Sequence, residues 1–488
     1  METNLKSTKN LWFVVISGLL AILFDYLFFN KMFGVSVLIY GILVLGALFL
    51  FAKSKSYSLK PALWLVLPFL FFCAIPLVRD NPFLRFLDSL GALGMYLLMV
   101  RALTGDSILN FSFLDYILTA ILWPFKFAGR GISKGLNLIR GAGGIQKGKS
   151  RQVLIGVLTA LPVLVFFGVL FVSADLAFSQ FIEKTFQVHL PDTAIPQVIV
   201  VGVIFTLCLG LFAYLTNPSD KISKDISELL NFRSGTETNR EIEISVFLSL
   251  IAALFLLFIA FQVHYLFGGA ANIYFQGFTY AEYARKGFWE LLVVAFTTLL
   301  ILLAVDNHSK DHAARLKWFI LPALAIIVEV LIIVASAFKR LALYQSAYGM
   351  TSLRLYVFGF IIFLAVIFVI FGAKIILNKK HSFFAFGVLL SVIVFLVGMN
   401  LLNPDKFIAE KNIHQFNQTN KLDNYYLLTL SADAAPTVLQ NFKPQTDEDK
   451  IARDNYIENL TRYLSEQRAD WQSYNIARAK AWNELQKN

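Results

Sequence analysis

Long apolar stretches recur along the chain and set its pattern of hydrophobic and polar positions. Each runs for about 20 residues and is apolar on every side, whereas a helix half-buried in a soluble protein needs a polar face. The pattern predicts an all-α fold: a polytopic transmembrane helical bundle of about 11 spans, followed by a small extracytoplasmic α-helical C-terminal tail. The predicted spans are 11–29, 33–52, 62–78, 84–103, 152–173, 195–215, 242–267, 287–305, 317–338, 354–377 and 383–402.

The basic residues between these stretches predict the orientation of the chain. With the N-terminus in the cytoplasm, the inner connections carry 23 Lys and Arg residues and the outer connections carry 9. Such an excess on the inner side is the positive-inside rule. We therefore expect a cytoplasmic N-terminus and an extracytoplasmic C-terminus.

The spans and connections divide the chain into four predicted regions. They are 1–107 (spans 1–4), 108–151 (a cytoplasmic interfacial helix and a basic linker), 152–402 (spans 5–11) and 403–488 (the tail). The segment 108–129 is apolar enough to be a short extra span, but crossing would reverse the side of the basic stretch after it. We prefer a helix in the cytoplasmic interface, with Asp115 and Lys126 toward water and Trp123 at headgroup depth.

Charge and cysteine content narrow the possible partners. The net charge is +11, and the basic residues concentrate in 126–151, where anionic headgroups of membrane lipids are the expected partner. Nucleic acid is not expected, because these headgroups compete for the same charges. Cys73 and Cys208 both lie in apolar segments, which argues against a disulfide framework or a cysteine metal site. No cofactor and no metal ion are expected.

Two motifs in the predicted cytoplasmic connections look like ligand sites. Residues 143–150, GGIQKGKS, match the phosphate-loop pattern, but no strand is predicted before them and a membrane span is predicted after them. This context favours a flexible basic linker. His308 and His312 are four residues apart, but a zinc site needs three or four ligands and no others are identifiable. A solvated polar loop is favoured there.

Glu329 is an acidic residue in the middle of a predicted span, far from the charges at either end. An ionised carboxylate at the bilayer centre costs several kcal/mol, so such a residue faces the bundle interior, is protonated or has a partner. Glu329 is therefore the candidate intramembrane functional residue, for proton coupling or substrate contact. A buried structural hydrogen bond is the alternative.

The predicted outer connections hold the densest polar chemistry. Two of them, 268–292 and 338–356, are basic and rich in tyrosine, and together they would form a pocket for phosphate or carboxylate groups. Aromatic and basic belts at a membrane interface give the same pattern. The candidate outer-face residues are Tyr280, Glu282, Tyr283, Arg285, Lys286, Glu290, Lys339, Arg340, Tyr344, Tyr348 and Arg354.

The tail begins after Asn403-Pro404 and is predicted to end in one long polar helix from Asp447 to Gln486. An apolar side of that helix needs a surface to pack on, so the tail either caps the bundle or recruits an extracytoplasmic protein partner. The apolar side carries Tyr456, Leu460, Tyr463, Leu464, Trp471, Tyr474 and Trp482.

Three stretches of the second half carry a family resemblance: FTYAEYARKGFWELL, KRLALYQSAYGMTSLRLYVFGF, and NPDKFIAEKNI followed by LDNYYLLTLSADAAPTVL. They resemble an uncharacterised bacterial family of polytopic membrane proteins, domain of unknown function 4173, related to number 4153. The resemblance covers roughly 240–440. It implies a bacterial cytoplasmic (inner) membrane and carries over no catalytic residue.

Three functions from different classes remain open. The first is a non-enzymatic cell-envelope or sensory component whose outer loops and tail bind a partner. The second is a transporter with Glu329 as its coupling or substrate residue. The third is an enzyme acting on a lipid-linked phosphate at the outer face. It would use Glu282 or Glu290 as the base and Arg285, Arg340 and Arg354 as phosphate ligands.

Overall fold

A computed structural model describes residues 12–142, 194–216, 218, 241–267, 288–308, 319–419, 424–427, 429–467 and 470–487. Within these residues the regular structure is entirely helical. The helices before the tail are α1 (Trp12–Phe28), α2 (Val35–Ser54), α3 (Leu63–Val78), α4 (Pro82–Leu103), α5 (Phe113–Ala142), α6 (Ala194–Thr216), α7 (Glu241–Phe267), α8 (Phe288–His308), α9 (Leu321–Tyr348), α10 (Ser352–Ile376) and α11 (His381–Leu402). The tail helices are α12 (Pro404–Thr419), α13 (Asn424–Leu427), α14 (Ala435–Asn441), α15 (Asp447–Gln467) and α16 (Ile476–Leu485).

Seven of the described helices are long and apolar enough to cross a membrane: α2, α3 with its preceding 3₁₀ turn, α4, α6, α9, α10 and α11. Each coincides with a predicted span. In α1, α7 and α8 the apolar stretches that the structure describes fully are shorter, at Trp12–Phe28, Ser245–Ala260 and Leu291–Asp306. The predicted span 152–173 and the phosphate-loop lookalike at 143–150 lie outside the described residues.

Two Asn-Pro pairs begin helices at the same end of the bundle. Asn81 precedes α4 and its side-chain oxygen accepts from the backbone N–H of Leu84 at 2.9 Å, while Pro82 occupies the first helical position. Asn403 ends α11 in the left-handed conformation (φ 54°), and Pro404 then begins α12. The second pair lies where the sequence analysis placed the start of the tail, and the division into membrane part and tail stays a prediction.

Helix α5 packs along α6, and Trp123 lies in their contact, while its predicted headgroup depth stays a prediction. The indole is 5% exposed, and its ring centre lies 4.7 Å from that of Tyr214 on α6. Lys126 lies over both rings, with Nζ 4.3 Å from the Trp123 centre. Trp123 therefore packs inside the protein, because α6 supplies an aromatic partner that the local sequence cannot reveal.

Glycine allows the backbones of α5 and α6 to touch. A Cβ at Gly210 would overlap the carbonyl oxygen of Phe127, which is backbone and cannot rotate away. We expect Gly210→Ala to lower the free energy of unfolding by about 1 to 3 kcal/mol through overpacking, measured by titration with SDS in mixed micelles. Gly129→Ala on α5 is the matched control, because its Cβ would meet nothing within 4 Å. Equal stabilities for the two variants would contradict this close packing.

The tail folds on a core of its own that continues into the bundle. Tyr456, Leu460 and Leu464 are buried as the apolar side predicted, and they share a cluster with Leu84 of α4 and Met399 of α11. The predicted single helix 447–486 is wrong, since α15 ends at Gln467 and α16 begins at Ile476. Between them lies a 3₁₀ turn, Trp471–Ser473, which leaves Trp471 and Tyr474 about half exposed instead of buried.

The tail is bonded to three turns at one end of the bundle. Ser473 accepts from the backbone N–H of Met32, in the turn between α1 and α2, at 3.1 Å. Asn412 of α12 makes two hydrogen bonds of 2.8 Å to the backbone of Met350, between α9 and α10. The third turn, 79–81 between α3 and α4, holds the most polar contact.

Candidate functional site

Three aspartates that are far apart in the chain meet where the tail contacts the turn between α3 and α4. Asp80 lies in that turn, Asp405 in the first turn of α12, and Asp433 just before α14. They are 2%, 3% and 6% exposed. Burying three carboxylates is costly unless each is paired or hydrogen-bonded. We call their surroundings the junction network, formed by Arg79, Asp80, Asn81, Arg85, Asp405, Ser431, Asp433, Tyr463 and Arg478.

Asp433 holds the backbone in front of α4. Its Oδ2 accepts from the backbone N–H groups of Asp80 at 2.6 Å and of Asn81 at 3.1 Å. Its Oδ1 lies 3.6 Å from the guanidinium of Arg79, whose Nε donates to the carbonyl of Asn400 at 2.9 Å. One tail residue thereby joins the beginning of α4 to the end of α11.

Asp405 and Asn81 form the next link. The Asn81 amide donates to Asp405 Oδ1 at 3.0 Å, and its oxygen accepts from the Tyr356 hydroxyl of α10 at 3.0 Å. Asp405 Oδ2 accepts from the backbone N–H of Ser431 at 3.1 Å and from the Ser431 hydroxyl. The link therefore connects α4, α10 and α12.

Asp80 receives the C-terminal end of the tail. The Tyr463 hydroxyl of α15 lies 2.9 and 3.0 Å from its two carboxylate oxygens. Arg478 Nε of α16 lies 3.1 Å from Oδ1, and Arg85 Nη1 lies 3.6 Å from the same oxygen. Arg478 also donates to the carbonyl of Phe33, before α2, at 2.6 Å.

The network balances its charges, with three aspartates against Arg79, Arg85 and Arg478. Burial raises the pKa of Asp433 to about 6, the nearby carboxylates adding to the effect and Arg79 opposing it. Burial also raises the pKa of Asp80, although Arg478 and Arg85 lower it. All three carboxylates accept hydrogen bonds from protein donors, so the network holds the tail against the bundle. In an open acid–base site, a carboxylate would instead be accessible to a substrate.

These pKa shifts predict a tail that docks more firmly at mildly acidic pH. Because the folded-state pKa of Asp433 lies above its ordinary value of 3.8, its protonation favours the folded state as pH falls through about 6. We expect the free energy of unfolding to rise by about 1 kcal/mol between pH 7.5 and pH 5, because only the interval from pH 6 to pH 5 lies between the folded and ordinary pKa values of Asp433. Asp433→Asn should flatten this rise. A wild-type stability that falls over the same interval would contradict the assignment.

A second buried charge pair lies at the opposite end of α10. Lys374 of α10 and Asp306 of α8 are each 1% exposed, and the ammonium contacts Asp306 Oδ2. Nδ1 of His381, the first residue of α11, lies 3.2 Å from the same oxygen, and the ring is half exposed. The contact joins α8, α10 and α11.

The family comparison covers most of these helices. The chain matches the family model described as Domain of unknown function (DUF4153) over residues 66–441. The chain belongs to this family. The match begins in α3 and so reaches well into the first half, beyond the stretch 240–440 in which the sequence showed its resemblance. The matched residues include the members of the junction network up to Asp433. Tyr463 and Arg478 lie beyond the last matched residue. No curated protein and no solved structure matches the chain.

The DUF4153 match and the seven apolar helices identify an integral membrane protein. The matched family has no known function, so no site residue is transferred from it. The resemblance to number 4173 stays a prediction.

Glu329 lies on the inner side of α9. It is 8% exposed, and its neighbour Val330 is fully buried. Its Oε2 is buried without a hydrogen-bond partner among the described residues. The expectation that this carboxyl faces the bundle agrees with its position, while its role stays a prediction.

The second predicted outer connection is mostly helix. Helix α9 continues to Tyr348, ten residues beyond the predicted span end at 338, and α10 begins at Ser352. Lys339, Arg340 and Tyr344 therefore lie on α9 and not in a loop.

Arg354 already has partners in this turn. It lies 4.3 Å from the Tyr344 ring centre and donates to the carbonyls of Tyr348 and Gly349, at the C-terminus of α9, where a cation is favoured. Several predicted outer residues lie outside the described residues: Tyr280, Glu282, Tyr283, Arg285 and Lys286. His312 also lies outside them. Glu290 and His308 lie on α8, but their side chains are not described.

Sequence reasoning missed the junction network because its members stand alone in sequence. One signal was available. The stretches RDNP (79–82) and NPDK (403–406) each place an aspartate next to Asn-Pro at the end of an apolar run. A carboxylate beside a helix start is a capping signal, and two of them at predicted outer ends would have suggested a meeting point.

Proposed function

We propose that the protein is a non-enzymatic cell-envelope or sensory component whose tail is a fixed platform for an extracytoplasmic protein partner. The observation that carries this proposal is the junction network, in which one buried set of charges holds α4, α10, α11 and the tail together. A rigid surface binds a partner at a lower cost, since ordering a mobile one on binding costs free energy.

The proposed setting is the bacterial cytoplasmic (inner) membrane, with about 11 spans, a cytoplasmic N-terminus and an extracytoplasmic tail at 403–488. The tail contacts Met32, Asp80 and Met350, and the predicted spans assign the connection that holds each of these residues to the outer side, which supports an outer tail. The proposed regions before the tail are spans 1–4 (1–107), an interfacial helix with a basic linker (108–151) and spans 5–11 (152–402). The basic residues of 126–151 would face anionic lipid headgroups. The relation to family number 4173 belongs to this proposal too.

A transporter is the second candidate, because Glu329 is buried with an oxygen that has no described hydrogen-bond partner. Such residues mark ion or substrate pathways in membrane proteins. The third hypothesis, an enzyme acting on a lipid-linked phosphate at the outer face, gains no new support, because Arg354 binds the end of α9.

Complementation of a deletion strain under envelope stress tests the platform against the transporter. We expect Asp433→Ala, which loosens the tail, to lose complementation, and Glu329→Gln to retain it at equal membrane levels. The opposite pattern would favour the transporter. A reporter fused after Gln486 tests the topology, and activity only in the cytoplasm would contradict an outer tail.

A further inference from the structure

The side of α1 that faces away from the bundle is continuous with an aromatic patch on the tail. Val15, Leu19, Ile22 and Tyr26 recur at helical spacing along α1 and are 53% to 61% exposed, while the opposite side of the helix is buried. In a membrane protein such an apolar exposed stripe faces lipid. Its last member is Tyr26, at the end of the helix.

The tail adds a second aromatic residue at this point. The Trp471 ring lies 6.5 Å from the Tyr26 ring, and the indole is 52% exposed. Three residues later Tyr474 is 54% exposed, and beside them on the bundle Phe33 is 40% exposed. Two exposed aromatic rings thus meet at the end of the α1 stripe, and two further exposed aromatic residues lie in the segments next to them.

The backbone fixes the depth of this patch. The carbonyl of Tyr474 accepts from the N–H of Val35, the first residue of α2, at 2.9 Å. A Cβ at Gly34 would lie 2.5 Å from that carbonyl oxygen, so only glycine allows the tail to approach so closely. The 3₁₀ turn is therefore level with the beginning of a membrane-crossing helix.

A cation completes the arrangement. Lys31 donates to the carbonyl of Tyr26 at 2.7 Å, and its Nζ lies 4.7 Å from the Tyr26 ring centre. Trp and Tyr with Lys or Arg at the ends of spans are the composition of the membrane–water interface, where the rings sit among headgroups and the cation meets phosphate.

We propose that Trp471 and Tyr474 insert into the headgroup region of the bilayer beside the end of α1. The tail is then held by lipid as well as by the junction network. This inference requires that α1 and α2 lie in the membrane, but it does not depend on the side on which the tail lies or on its having a protein partner.

Spin-label accessibility in phosphatidylethanolamine–phosphatidylglycerol nanodiscs tests the proposal. Trp471→Cys and Tyr474→Cys are labelled separately, so that each variant keeps the other ring, and Lys450→Cys on α15, with a 63% exposed side chain, is the control. The unsubstituted protein reports labelling of Cys73 and Cys208. The measured quantity is the ratio of the label's collisions with oxygen to its collisions with a water-soluble nickel chelate. We expect this ratio to be several-fold higher at 471 and 474 than at 450.

Two results would overturn the proposal. Equal ratios at all three positions would place the patch in water. A label that neither oxygen nor nickel reaches would show that a protein surface or a second copy of the chain covers the patch.

Discussion

Asp433→Ala is expected to lower the free energy of unfolding by about 3 to 5 kcal/mol in an SDS titration, because it breaks a buried charged network. The substitution leaves the backbone N–H groups of Asp80 and Asn81 without their acceptor, and each buried donor without a partner costs about 1 to 3 kcal/mol. It also removes the carboxylate beside Arg79. The tail should then be cut by protease at concentrations that leave the wild-type tail intact.

The matched control for this variant is Asp447→Ala, in the same tail. Asp447 has a 92% exposed side chain and pairs with Lys450, three residues later on the helix surface, at 2.8 Å. Such surface pairs contribute about 0 to 1 kcal/mol, so this variant should unfold close to the wild type. If Asp433→Ala unfolded together with Asp447→Ala, the junction network would not hold the tail.

Lys374→Met is expected to be the other strongly destabilising substitution, again by about 3 to 5 kcal/mol, because it leaves the Asp306 carboxylate buried without its ammonium partner. Asp306→Leu should cost a similar amount. The double variant should recover most of the loss, since replacing both members of a buried ion pair by apolar residues is often neutral. Unfolding of all three variants in the same micelles gives the coupling energy directly.

A surface pair on the tail provides the comparison. Lys406 and Glu410 are about half exposed and lie 3.6 Å apart on one helix face. The coupling between them should be no more than about 0.5 kcal/mol. Additive losses for Lys374 and Asp306, with no recovery in the double variant, would be evidence against a direct pair.

Much of the fold could be predicted because the relevant signals are local. An apolar run of span length predicts a membrane helix wherever it occurs, and the seven membrane-length helices coincide with predicted spans. The change from apolar to polar sequence after Asn403-Pro404 indicated a break there, and α11 ends at Leu402 while α12 begins at Pro404. For Glu329, the cost of exposing a carboxylate to lipid predicted an inward position, protonation or a partner, and the residue is 8% exposed.

The junction network could not be predicted in the same way, because it depends on which distant turns share one end of the bundle. Asp80 and Asp433 are separated by most of the membrane part, and each is a single acidic residue in its own segment. The dense polar cluster at 338–356 predicted a ligand pocket instead. There Arg354 closes a helix end, a contact that local composition does not distinguish from a ligand site.

A distance measurement between two spin labels tests most directly whether the tail is held rigidly against the bundle. One label replaces Phe83, which is exposed at the start of α4, and the other replaces Lys450 in the tail. The labelled pair is measured by pulsed electron resonance in nanodiscs. If the junction network holds the tail, the wild-type background gives one narrow distance distribution, and this distribution broadens when Asp433→Ala is added. A broad distribution already present in the wild-type background would contradict this role of the network.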